Sequence, residues 1–310
     1  MPNRTNARHE EALRLRNSGM SYGAIARQLG YGNYPSAARY AVMSALRNSV
    51  STSVNEIRQF GVEAEFYNIT PQRAIEALAE VGINASFEGY THAVTSNWKI
   101  VTDGSVTGTN TGRGTGLELV SPILKGEEGL VELEKALNAL DAAGAKVNTT
   151  CGLHVHIDTN GMTPTQRKNF FNSYVRNQDL MDRLVSRSRR NNQNYTMRYG
   201  SGNIDAYADS AATGRGGNNR YFTVNTCSLP KYGTLEFRQH QGTLNGKKAV
   251  AWVQMLLAIA KTASDSTLEA EGLMTYTTVA EFLDAHSVDA TTKAFLLRRE
   301  AQLNRQAVAA

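Results

Sequence analysis

Cysteine, proline and tryptophan are scarce: 310 residues contain two, six and two of them. Cys151 and Cys227 exclude a disulfide framework and a four-cysteine metal site, so two reduced thiols are expected. Long hydrophobic runs are also missing. The longest, "AVAWVQMLLAIA" ending at Ala260, has 12 residues, which suits a buried helix and is too short to cross a bilayer. The opening "MPNRTNARHEEALRLR" lacks the apolar core of a secretory signal, which leads us to expect a cytoplasmic protein. No GxxxxGK motif occurs, and no GxGxxG opens a helix, so neither common glycine-loop nucleotide site is present.

Negative charge is scarce in one region. Residues 1–50 hold seven arginines against two glutamates, a net of +5 that equals the formal charge of the whole chain. Everything after residue 50 sums to zero. A basic segment of this kind suits a polyanion or an acidic protein surface. Its pattern reads as three short helices joined by glycine turns, with Ser21 as an N-cap and a helix end at Gly30. "SGMSYGAIARQLGY" resembles a helix-turn-helix. That resemblance implies a DNA partner, and the alternative is a small helical unit that packs or binds a protein. We expect this domain over 1–50, a polar linker over 51–56 and a second domain over 57–310.

From Ile57 onward, strand and helix patterns alternate. Thr70 before Pro71 and Thr163 before Pro164 mark two helix starts. The second helix is expected to run on to Val185. "ASFEGYT" and "NWKIVTDGSV" read as strands separated by a turn. Residues 188–219 are rich in Ser, Arg, Asn and Gly, without periodicity, and are expected to be a long polar loop acting as a lid. The expected class is α+β: a curved, mainly antiparallel sheet with flanking helices, preceded by a small three-helix unit. A doubly wound parallel sheet fits less well, because it places polar groups at loop ends rather than within strands.

Several strands carry charge along one side. Side chains at i and i+2 of a strand share a face. "GVEAEF" therefore pairs Glu63 with Glu65, and "GLHVHI" pairs His154 with His156. In "TLEFRQH" the same spacing groups Glu236, Arg238 and His240 against Leu235, Phe237 and Gln239. "LELV" adds Glu118, and "KIVTDGS" adds Lys99 and Asp103. Four glutamates and an aspartate on one surface destabilise a fold unless cations intervene. Carboxylates with one or two imidazoles suit Mg²⁺ or Mn²⁺, whereas zinc prefers more nitrogen or sulfur. Mg²⁺ in turn points to phosphoryl chemistry on a nucleotide.

The ordered set "FGVEAEF", "WKIVTDGS", "GLELVSPIL", "NTTCGLHVHID", "RYFTVNTCSLPKYGTLEFRQHQGTL" and "AWVQMLLAI" resembles the amidoligase family of glutamine-synthetase-like carboxylate–amine ligases, from about residue 58 to 262. That resemblance implies an active site on the concave sheet face. It also implies that ATP and Mg²⁺ are used to join a carboxylate to an amine through an acyl phosphate. By the same resemblance Glu63, Glu65, Glu118, His154 and Glu236 are metal ligands. His156, Arg238 and Asn225 contact the nucleotide or its phosphates, and Lys99 is either a phosphate contact or a solvated lysine. Arg238 would grip the transferring phosphoryl group, Arg220 would neutralise the substrate carboxylate, and either Glu118 or a carboxylate of the Gly-rich region would accept the proton of the amine. The implied partners are a small-molecule or peptide acid and an amine. Two other functions use the same residues: a DNA-binding regulator whose sheet senses a ligand, and a metal-dependent hydrolase that needs no ATP.

Overall fold

The computed structural model describes residues 4–17, 20–39, 41–42, 58–89, 95–108, 112–113, 116–192, 194–266 and 272–308. Two compact units divide the chain, Met1–Glu56 and Ile57–Ala310. The expected linker at 51–56 lies outside the described residues.

In the first unit, helices Arg4–Asn17 and Tyr22–Gln28 are followed by helical residues at 35–39 and 41–42. Ser21 caps the second helix by accepting from the Ala24 amide. Ala12, Leu15, Ile25, Ala26, Ala38, Ala41 and Val42 form its small core. Two of its arginines serve the unit itself. Arg8 donates to the Leu29 carbonyl and lies 4.1 Å from the Tyr31 ring centroid. Arg16 donates to the Met20 carbonyl and lies 4.6 Å from Tyr22.

The second unit is built on one sheet. Its strands are β1 (Gln59–Phe66), β2 (Ala85–Gly89), β3 (Trp98–Asp103), β6 (Gly116–Val120), β7 (Leu124–Lys125), β8 (Gly152–Asp158), β9 (Val224–Asn225) and β10 (Thr234–Gln241). The order across the sheet is β2-β3-β6-β1-β8-β10-β9, with β7 also paired to β1. A two-stranded pair, β4 (Thr107–Gly108) and β5 (Gly112–Arg113), lies apart from it. All pairings are antiparallel except β2 with β3. The fold is therefore α+β with a mainly antiparallel open sheet and flanking helices. Because β2 and β3 are parallel, they do not form the turn-linked pair expected from the sequence.

One face of the sheet is apolar. Val62, Ala64, Phe66, Ile100, Leu117, Leu119, Leu153, Val155, Leu235 and Phe237 are all buried there. Helices carry the other half of this core. Phe170 and Tyr174 of helix Pro164–Val175 meet Phe237 at 5.3 and 5.0 Å between ring centroids. Thr70 and Thr163 cap their helices as expected, the latter in a reciprocal capping box with Gln166. The helix expected to reach Val185 instead breaks into Pro164–Val175 and Gln178–Leu184. The Asn177 side-chain Nδ2 donates to the Ser173 and Met274 carbonyls, which diverts hydrogen bonding at the break.

Residues 188–219 are not one aperiodic loop. They contain helix Ile204–Thr213, and they follow a 3₁₀ turn at Arg187–Arg189. Tyr199 stacks on Phe222 at 4.2 Å and meets Phe171 and Tyr207 edge-on, each at 5.1 Å. These aromatics lie too far apart in sequence to register as a period, yet they pin the segment to the core.

A β-bulge changes the reading of β10. Phe237 pairs with Val155, but the next pair is His240 with Leu153. Arg238 and Gln239 thus stand together opposite His154, and the alternation flips. His240 does not share the face of Glu236 and Arg238. It is buried on the helix side, 5.0 Å from the Trp252 ring. Burial, reinforced by Lys248, holds its pKa well below the ordinary imidazole value of 6.5. The unfolded chain therefore takes up a proton that the folded chain refuses. Stability is complete above about 6.5 and falls below it by up to about 1.4 kcal/mol per pH unit. We expect His240→Leu to remove that slope in urea unfolding between pH 6.5 and 5; an unchanged slope would contradict this assignment.

Candidate active site

The polar face of the sheet collects the charged residues, and strand register decides which of them meet. Glu65 stands opposite Glu118, Glu63 opposite His154, His156 opposite Glu236, and Glu236 opposite Asn225. His154 Nδ1 lies 3.3 Å from Glu63 and 3.8 Å from Glu236, and its Nε2 lies 3.7 Å from Glu65. His156 Nε2 lies 3.5 Å from Glu63, while Thr234 Oγ1 holds its Nδ1 at 3.0 Å. The Gly152 amide donates to Glu65 at 2.7 Å. Arg238 pairs with Glu236, whose other oxygen accepts from Asn225 Nδ2 at 2.5 Å. Asp103, at the end of β3, accepts from the Ser105 amide and hydroxyl.

The carboxylates are not equally neutralised. Burial pushes Glu63 up, but hydrogen bonds from His154 and His156 outweigh it and hold Glu63 well below the usual range. Burial also opposes ionisation of Glu236, yet Arg238 and then His156 keep its pKa low. His156 answers with a raised pKa, since Glu63 and Glu236 overcome its burial. Glu118 differs. Burial first, then Glu63, Glu65, Asp103 and Glu236, drive it well above the usual carboxylate range. Two like charges 4 Å apart repel by about 4 kcal/mol at the effective dielectric of such a site. Glu118 is thus the point where the cluster needs positive charge.

Three donor sets are close enough to share a cation: Glu63, Glu118 and His154; Glu63, His156 and Glu236; and Glu65, Asp103 and Glu118. Within each set the donor atoms lie within 4.8 Å of one another. Oxygen-rich sets with at most one imidazole fit a hard divalent ion such as Mg²⁺.

Beside them, a cavity of about 380 Å³ opens at the His156 end of the strands. Glu63, Lys99, Glu118, His156 and Tyr232 are among the residues that line it. Lys99 is buried, not solvated. Arg220 lies outside the cluster: it is exposed, 5.6 Å from the Tyr221 ring centroid. Besides Arg238, Arg189 reaches the polar face, buried at 2% exposure. In the sequence it is hidden among its neighbours Arg187 and Arg190, with no strand period to single it out.

A family model described as "Putative amidoligase enzyme" matches residues 56–260. The chain belongs to the amidoligase family. The match takes in every strand of the amidoligase sheet and all of the residues that meet on its polar face. A search of curated proteins finds no match. Among solved structures, a Plasmodium falciparum glutamine synthetase seen by cryo-EM is similar to the chain. The likeness covers 74% of this chain and 56% of that one, at 9% identity and a TM-score of 0.36. The amidoligase therefore spans little more than half of that synthetase, and a likeness this distant carries no argument about activity.

The crowding at Glu118 has a measurable consequence. The folded carboxyl of this amidoligase keeps its proton at pH values where the unfolded chain has lost it. Without metal, stability should therefore fall as pH rises above the ordinary value of 4.5 towards the folded value, by up to about 1.4 kcal/mol per pH unit. We expect Glu118→Gln to abolish that fall in the presence of a chelator. The same variant should lose the Mg²⁺ stabilisation of wild type, which is about 2.7 kcal/mol at a hundredfold excess over Kd. Thermal unfolding with and without Mg²⁺ checks both signs; equal Mg²⁺ stabilisation in variant and wild type would remove Glu118 from the metal site.

Proposed function

We propose that this amidoligase is an ATP- and Mg²⁺-dependent ligase that joins a carboxylate to an amine. The observation that carries this reading is the convergence of Glu63, Glu65, Glu118, His154 and Glu236 around donor sets that lie beside a cavity. Mg²⁺ bound by those sets would neutralise charge on phosphate oxygens during phosphoryl transfer. Zinc suits them less, because no cysteine joins them.

The roles of the residues follow from chemistry. A carboxylate is a poor electrophile. Its oxygen therefore first takes the γ-phosphoryl group of ATP, releasing ADP, and the resulting acyl phosphate has a good leaving group. The amine nitrogen then attacks the acyl carbon, phosphate departs, and the amine gives up a proton. The cavity of about 380 Å³ is the proposed nucleotide site, with Lys99 and His156 near the phosphates and Tyr232 offering apolar surface to the base. Arg238, steered by Glu236 and through it by Asn225, grips the transferring phosphoryl group through its fork of donors. Glu118, once bound Mg²⁺ has drawn off its proton, is the proposed acceptor for the amine.

ADP release with Mg²⁺, screened over pools of carboxylic acids and amines, tests this reading. We expect release that depends on both an acid and an amine. Glu63→Gln and Glu236→Gln should lower it at least about a hundredfold with folding intact. Turnover without ATP would instead favour a hydrolase, and unchanged turnover in both variants would take these carboxylates out of the mechanism.

A polyanion partner is proposed for the first unit, because its residues 1–50 carry the whole net charge of +5 in a separate compact body. Full-length protein should bind duplex DNA with an affinity that falls steeply between about 50 and 200 mM salt. Residues 57–310 alone should not bind. Equal binding by both would assign the contact to the sheet unit.

A further inference from the structure

At the end of the sheet away from the cavity, Arg189 crosses into the polar face. It comes from the 3₁₀ turn Arg187–Arg189, whose carbonyl end is tied down by the Thr196 hydroxyl at 3.1 Å. Its Nη2 donates to the Arg238 carbonyl at 2.8 Å. The bulge makes this contact possible, since it turns Arg238 and Gln239 out of the regular ladder opposite His154. The same guanidinium lies against Gly152. A Cβ there would stand 3.0 Å from Arg189 Nη2 and 2.8 Å from His154 Nε2. Glycine is thus what lets an arginine from a distant turn lie beside the histidine of the cluster.

Two buried guanidinium groups now share one end of the polar face. Arg189 and Arg238 are 2% and 5% exposed. Arg238 spends Nη1 on Glu236, and Arg189 spends Nη2 on a carbonyl. The Nε of each is buried without an acceptor among the described residues. A guanidinium has five donors, and leaving one buried without an acceptor is costly. Two buried guanidinium groups with donors to spare, one tied to the other's backbone carbonyl and both next to a carboxylate–histidine cluster, suit a carboxylate or phosphate.

We propose that Arg189 and Arg238 form a clamp for a single oxyanion, the carboxylate of the acid substrate and then the phosphate of its acyl phosphate. The clamp lies towards the Gly152 end of β8, and the cavity at its His156 end. This assignment rests on the ligase reading for the identity of the anion, but not for its existence. Arg189 takes the carboxylate-neutralising role that the family resemblance had suggested for Arg220.

The test uses the full chain with Mg²⁺ and two probes, inorganic phosphate and acetate, titrated by calorimetry. The variants are Arg189→Gln, which removes the charge, and Arg189→Lys, which keeps a charge and a donor for the Arg238 carbonyl but lacks the fork. A Mg²⁺ thermal shift on each variant reports whether the carboxylate cluster is intact. We expect phosphate affinity to fall at least tenfold in both variants while the Mg²⁺ response persists. A parallel loss with acetate identifies the clamp as a site for carboxylate as well as phosphate; acetate binding that does not change confines it to phosphate and overturns the substrate half of the proposal. Unchanged phosphate affinity in Arg189→Lys overturns the clamp. So does a lost Mg²⁺ response in both variants, which would make Arg189 a brace for the sheet. If no acid and amine support ADP release, yet phosphate binding still depends on Arg189, the ligase reading fails and the anion site stands.

Discussion

Like charges gathered on one face of a sheet are the constraint from which the rest of this structure follows. Glu63, Glu65, Glu118, Asp103 and Glu236 lie within reach of one another, and the protein neutralises them unevenly. Two histidines serve Glu63, and an arginine and an asparagine serve Glu236. Glu118 has mostly carboxylates for company. A fold that only needed stability would place an apolar residue there, since Glu118 faces the same surface as Val120. Keeping the carboxylate is a cost that makes physical sense where a divalent ion belongs.

That constraint organises the packing behind it. The opposite face is largely apolar and is packed by helices, so the sheet can hold repelling groups in register without separating. The hydrogen bonds that matter at the site come from the backbone and from short side chains. The Gly152 amide fixes Glu65, Thr234 orients His156, and Asn225 orients Glu236. Each partner is placed by a strand or by the turn before it, so the site inherits the rigidity of the sheet.

Chemical asymmetry runs along the strands. At the His156 end an open cavity combines carboxylates, a buried lysine and apolar surface. At the Gly152 end two buried arginines converge. The carboxylate and histidine sets close enough to share a cation lie between them. A phosphoryl donor on one side and an acid on the other would then meet where the negative charge of both is best compensated.

Much of this was legible in the chain alone because it is local. Alternation along a strand shows that Glu63 and Glu65, or His154 and His156, share a face, and Thr70 and Thr163 before prolines announce their helices. The motifs in order were enough to suggest the family. What alternation cannot supply is register, because pairing Glu65 with Glu118 depends on residues more than fifty positions apart. Nor can it foresee a bulge, which inserts one residue against a partner strand and sends His240 into the core instead of the site. Arg189 was invisible for the same reason: its neighbours in sequence are other arginines, and only the folded chain brings it against Gly152 and His154. Which residues could face a site was thus determined by local stereochemistry. Which of them meet there was decided by contacts between distant segments, which only the folded chain contains.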